Sequence, residues 1–140
     1  MGNHNRHQLR STTSPRRSAV VVGGSLAGLM TALSLARTGI KVTVLERSRP
    51  TGRTGAALRV GSDQLSRLVD THTTGHALTP GLHAWTTVHA ALSAAATATE
   101  IEFHHHTEIV EIEQDHDTAR AIASDGCSHG FNRPGSKGAN

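Results

Sequence analysis

A chain of 140 residues fits one domain large enough to bury a core. The core is thinly supplied: aromatics make up 2% of the chain, as Trp85, Phe103 and Phe131 with no tyrosine, which is the composition of an incomplete domain. The net charge of +3 does not describe a basic nucleic-acid surface, because Arg6, Arg10, Arg16 and Arg17 lie in residues 1–18 without any acid, and the rest of the chain sets ten of its fourteen basic residues against eleven acidic ones.

The first stretch, "MGNHNRHQLRSTTSPRRS", is too polar to fold by itself and reads as a disordered basic leader, residues 1–18. Arg16-Arg17 before an apolar run has the look of a twin-arginine export signal. That run is short, however, and passes into a glycine turn without a cleavage region. No stretch is long and apolar enough to cross a bilayer. Cys127 is the single cysteine, so no internal disulfide forms and the cytoplasm is the expected compartment.

From residue 19 the pattern becomes regular. Ala19, Val20, Val21 and Val22 form a continuous apolar run, the pattern of a parallel strand covered on both faces. Gly23-Gly24-Ser25 breaks it. Leu26, Leu29, Met30 and Leu33 then recur at helical spacing, with Ala32 and Ala36 in support. Gly39 stands where a helix end places a left-handed residue. Val42, Val44 and Leu45 supply a second strand, which ends on Glu46. The order strand, turn, helix, strand makes a β-α-β unit.

The turn has the spacing of a dinucleotide fingerprint. Gly23 permits the tight strand-to-helix turn, and Gly28 lets the helix approach the strand. Ser25 replaces the middle glycine of G-x-G-x-x-G, at the position beneath a pyrophosphate. A serine is small, and its hydroxyl can donate to phosphate. The N–H groups of the first helical turn, at Leu26, Ala27 and Gly28, present partial positive charge to an anion. Glu46 follows the first glycine by twenty-three residues. A carboxylate at the end of the second strand accepts hydrogen bonds from ribose hydroxyls and repels a 2′-phosphate, which selects against NADP. Arg47 reads either as a lid over adenine or as a solvent-facing charge.

Further along, "THTTGHALTPG", residues 71–81, reads as a polar loop. His104-His105-His106 invites a metal reading. Successive strand residues face opposite ways, so the three cannot meet one ion, and a polar strand edge is expected. Ile109 and Ile112 mark a strand, "QDHDT" a turn and "ARAIASDG" a return strand ending in an Asp-Gly turn. Glu108, Glu111, Glu113, Asp115 and Asp117 fall on the solvated face of that hairpin. No nucleophile with a neighbouring base can be assembled, so no catalytic side chain and no metal ligand is assigned. Residues 132–140 read as a disordered glycine-rich tail.

The run "VVVGGSLAGLMTALSLARTGIKVTVLERS" followed by "RTGAALRV" resembles the N-terminal part of the FAD-dependent aromatic-ring hydroxylases, single-component flavoprotein monooxygenases related to p-hydroxybenzoate hydroxylase. The likeness spans residues 19–131. It is specific over the first forty residues and fainter through "HAWTTVHAALSAAATATEIEFHHHTEIVEIEQDHDTARAIASDG", which resembles the family's helix, strand and β-meander ending in Asp-Gly. The fold implied is α/β: a Rossmann-like FAD-binding β-α-β with an added β-meander, incomplete at the C-terminus, with residues 19–131 as a partial FAD-binding domain. By this resemblance Gly23, Ser25, Ala27 and Gly28 line the pyrophosphate of FAD, Glu46 holds the ribose and Arg47 lies beside the adenosine. The family's arginine on the later helix has its matching place at His89, and the family's next strand and Gly-Ala-Asp-Gly turn have no counterpart in "NRPGSKGAN". The resemblance implies a monooxygenase using O2 and NAD(P)H, here apparently truncated, with chemistry residing on the flavin. An NAD-binding dehydrogenase domain and a non-functional remnant stand as alternatives.

Overall fold

The computed structural model of the chain describes residues 17–48, 56–61, 64–69 and 78–132. The leader reading, Arg17 and Ser18 apart, and the tail reading beyond Asn132 lie outside the described residues, as do the glycine segment before Ala56 and most of the 71–81 loop.

Strand β1 (Ser18–Val22), helix α1 (Leu26–Arg37) and strand β2 (Lys41–Leu45) form the β-α-β unit. The two strands run parallel, from Ser18 opposite Lys41 to Val22 opposite Leu45. Helix α1 ends as its sequence requires: Gly39 takes φ +82°, and the N–H groups of Thr38 and Gly39 return to the carbonyls of Leu35 and Ala36. Strand β5 (Glu102–His104) joins parallel on the other side of β2, giving the order β1-β2-β5.

That order corrects one expectation. The strand covered on both faces is β2, where Val42, Val44 and Leu45 are buried. Strand β1 lies at the edge of the described sheet; its first four residues are half-buried and Val22 is exposed. A local run of valines reports strand and apolarity, whereas coverage depends on which strands pair at long range.

Strand β3 (Ala57–Val60) pairs antiparallel with β4 (Gly81–Ala84), with helix α2 (Gln64–Leu68) between them in sequence. This pair was not anticipated. The 71–81 reading as a loop ends at a glycine that opens β4, and both strands are only four residues long, too short to show alternation. Strand β4 runs directly into helix α3 (Trp85–Ala98). Helices α1 and α3 pack together: Leu29 and Leu33 share one buried cluster with Val44 of β2 and with Val88, Leu92 and Ala96. Burying a leucine side chain completely contributes about 1.5–3 kcal/mol, so Leu29, Leu33 and Leu92 each stabilise this layer on that order.

Strands β6 (Ile109–Gln114), β7 (Thr118–Ala123) and β8 (Ser128–Asn132) form the antiparallel meander, with β7 in the middle. Asp115 closes the first turn, its carboxylate accepting from the N–H groups of Asp117 and Thr118 and from the Thr118 hydroxyl. Gly126, at φ +83°, makes the second. The meander does not stop at Asp-Gly, as expected from the sequence, but continues into β8. "SHGFN" carries no apolar alternation, and its strand character comes from pairing with β7. The five acids assigned to the solvated face are all exposed.

No helix among the described residues is long and apolar enough to cross a membrane.

Candidate functional site

The site forms where β1 and β2 end, because a glycine there can turn the chain at once. Gly23 adopts φ +102°, and its N–H donates to the carbonyl of Leu45 at 2.8 Å, tying the turn to β2. Ser25 occupies the N-cap of α1 without a capping bond from its side chain, and its carbonyl accepts the N–H of Leu29 at 2.9 Å. The first turn of α1 holds no acidic residue. The opening amides of a helix have no intrahelical acceptor, and with the helix dipole they leave positive potential at this end.

Gly28 explains how closely the helix sits. A β-carbon there would lie 1.8 Å from the carbonyl oxygen of Gly23 and 2.9 Å from its carbonyl carbon. Both are backbone atoms, so no side-chain movement makes room.

Glu46 folds back onto this turn. One carboxylate oxygen, Oε2, accepts the N–H of Gly24 at 2.5 Å, and the other, Oε1, accepts the N–H of Ser48 at 2.9 Å and its hydroxyl at 3.2 Å. Partial burial alone would raise the pKa of this carboxyl. The Ser48 and Gly24 amides, with the Ser48 hydroxyl and the Arg47 amide, outweigh that and hold it below the ordinary 4.5. The backbone of Glu46 is held as well, donating to the His104 carbonyl and accepting from Thr107.

Gly23, Glu46 and the exposed Arg47 line an open crevice of about 290 Å³, faced across by Thr107, Glu108 and Ile109. Ser25, Leu26, Ala27 and Gly28 open the adjoining helix and are not part of that lining. The crevice lies at the carboxyl ends of parallel strands, the usual ligand position in such sheets. Chemically, the crevice offers an ionised acceptor of hydroxyl groups at Glu46, and the adjoining opening of α1 offers amide donors to an anion.

One residue reaches the turn that the sequence did not connect with it. His89 of α3 is buried, and its Nε2 lies 3.0 Å from the carbonyl oxygen of Gly24. Trp85 stacks on its ring with centroids 4.6 Å apart, and the Ser93 hydroxyl lies 3.4 Å from Nδ1. The four-residue spacing of Trp85, His89 and Ser93 marks one helical face and was the available signal.

The histidine triplet lies elsewhere and is not one strand edge. Strand β5 stops at His104, whose Nε2 meets Glu102 at 2.7 Å; His105 stacks on Phe103, and His106 takes φ +55°. Three residues after the strand ends, Thr107 bonds back to Glu46. Among the described residues no group of three or more His, Cys, Asp or Glu side chains could hold a metal ion.

Comparison with known proteins gives matches to parts of flavoproteins. Residues 18–73 match the model for FAD dependent oxidoreductases. The chain is 48% identical over 50 residues to a 3-hydroxybenzoate 6-hydroxylase of Klebsiella oxytoca, over 36% of this chain and 13% of the hydroxylase. Among solved structures it is similar to CtdE in complex with FAD, with a TM-score of 0.70 and 15% identity, covering 84% of this chain and 37% of that one. It is also similar to 2-methyl-3-hydroxypyridine-5-carboxylic acid oxygenase, with a TM-score of 0.67 and 20% identity, covering 84% of this chain and 38% of that one. The chain thus spans a small part of the hydroxylase and somewhat over a third of the solved relatives. The α/β architecture is shared with those solved structures, and both the matching family model and the CtdE complex name FAD.

Proposed function

We propose that this chain forms the FAD-binding portion of a flavin-dependent monooxygenase that hydroxylates an aromatic or similar small molecule with O2 and NAD(P)H. The observation that carries the reading is the meeting of Glu46 with Gly24 in a glycine turn, beside a helix opening that carries no acid.

The residues present fit the adenosine diphosphate half of FAD. Gly23, Ser25, Leu26, Ala27 and Gly28 would face the pyrophosphate, the amides supplying donors and Gly28 keeping the helix close. Glu46 would hold the ribose. Its carboxylate offers about four lone-pair positions, of which the longest present contact, to the exposed Ser48 hydroxyl, is the one a ribose hydroxyl replaces without disturbing either backbone bond. Arg47, exposed at the crevice, would lie beside the adenosine. Because Glu46 is ionised well into acid conditions, it also disfavours a 2′-phosphate at physiological pH. When bound, FAD supplies the redox chemistry, accepting a hydride and delivering electrons to oxygen. The chain's own contribution is binding and orientation, and no catalytic side chain is assigned. Cys127, exposed and outside any disulfide, suits the cytoplasm as the compartment.

Purified protein tests the reading directly. It should be yellow, release FAD on denaturation, and melt higher with added FAD but not with NADH. Stabilisation by NADH alone would favour a dehydrogenase domain, and no response to either nucleotide would favour a remnant without function.

A further inference from the structure

Two consecutive peptide planes flank Gly24, and each is held by a side chain far away in sequence. The N–H of Gly24 donates to Glu46, and its carbonyl meets Nε2 of His89, 65 residues later. We propose that His89 is a positioning residue for the glycine turn, donating from Nε2–H to the Gly24 carbonyl and so orienting the Gly24–Ser25 peptide. This rests on the FAD reading only for its consequence, not for its geometry.

The hydrogen placement follows from the partners. A carbonyl oxygen only accepts, so Nε2 carries the hydrogen. In the neutral ring Nδ1 is then the acceptor, and the Ser93 hydroxyl stands on that side. Trp85 lies against the ring at an interplanar angle of 16°, limiting its rotation. His89 is the buried polar side chain among the described residues, and both its nitrogens are met. A histidine kept only to fill the core could bond within its own helix. This one, besides meeting Ser93 of its own helix, reaches out of it to the turn.

The consequence concerns Ser25. In a trans peptide the carbonyl and the following N–H point in opposite directions. With the Gly24 carbonyl drawn towards α3, the Ser25 N–H is directed away from it. Its direction is thereby set before any nucleotide arrives, and an amide already aimed is worth more to an anion than one that must reorient. His89 thus acts on the cofactor through the backbone, without touching it.

Three variants and one direct measurement test this. His89→Phe keeps an aromatic ring against Trp85 and removes the donor; His89→Gln restores an N–H donor. Nitrogen NMR of the parent without nucleotide should show His89 as the Nε2–H tautomer. His89→Phe should shift the Gly24 and Ser25 amide resonances without nucleotide and weaken FAD binding about tenfold, the size of one net hydrogen bond. His89→Gln should recover most of both, whereas Ser93→Ala should leave the Gly24 resonance in place. A parent ring carrying its hydrogen on Nδ1 alone would overturn the proposal even if His89→Phe did not fold. So would a folded His89→Phe protein with unchanged Gly24 and Ser25 resonances. If the parent does not bind FAD, the FAD reading fails by itself, and the tautomer and amide measurements still decide the role of His89.

Discussion

Gly28 stands over Gly23 so closely that a β-carbon on the helix would fall 1.8 Å from the carbonyl oxygen of the turn. Nothing but backbone lies in the way, so the substitution must push α1 off β1. Gly28→Ala should cost about 3 kcal/mol, the upper end of ordinary overpacking, read as a lower urea midpoint at unchanged slope. Gly24→Ala makes the useful contrast. Its β-carbon would meet Oε2 of Glu46 at 3.1 Å, an atom at the end of a movable side chain. That variant should lose less than about 1 kcal/mol of stability while weakening FAD binding. Equal stability losses for the two would contradict this packing.

Glu46 makes the fold sensitive to acid. Its folded-state pKa lies below the ordinary 4.5, so the folded protein releases this proton more readily than the unfolded chain. Its contribution is therefore present above pH 4.5 and is lost as pH falls through the lower folded-state value. Glu46→Gln cannot titrate. Urea unfolding between pH 6 and pH 3 should show a difference between parent and variant that shrinks towards the acid end. A constant difference across the range would contradict the assignment.

Arg37 ties the end of α1 to the end of α2. Its guanidinium donates to the carbonyls of Arg67 and Leu68, the last residues of α2. Arg37→Ala should release those carbonyls and speed hydrogen exchange of the Val69 amide, which donates to Leu65 in the same helix. Because Arg37 is exposed, the global loss should stay near about 1 kcal/mol. Unchanged exchange at Val69 would show that α2 is held by packing alone.

The parts legible in the sequence are those whose cause is local. Gly23 and Gly39 sit at positive φ where the pattern places them, and the apolar period changes from strand to helix between Val22 and Leu26. Glu46 was legible because the end of β2 is fixed by the same unit. What escaped depends on partners distant in the chain. Strand β1 is an edge and β2 is central because β5 pairs with β2, sixty residues on. The β3–β4 pair is too short to announce itself, and β8 is a strand by virtue of β7. His89 could be matched to a family position by its place on α3, but its bond to the Gly24 carbonyl is a fact of packing between α3 and the turn.

The claim on which the account rests is that Glu46, folded onto the glycine turn, grips the ribose of FAD. Calorimetric titration of FAD into the parent and into Glu46→Ala measures it most directly. Losing hydrogen bonds to a charged acceptor should weaken binding by about tenfold to a hundredfold in a protein that still unfolds cooperatively. Equal affinities in two folded proteins would contradict it.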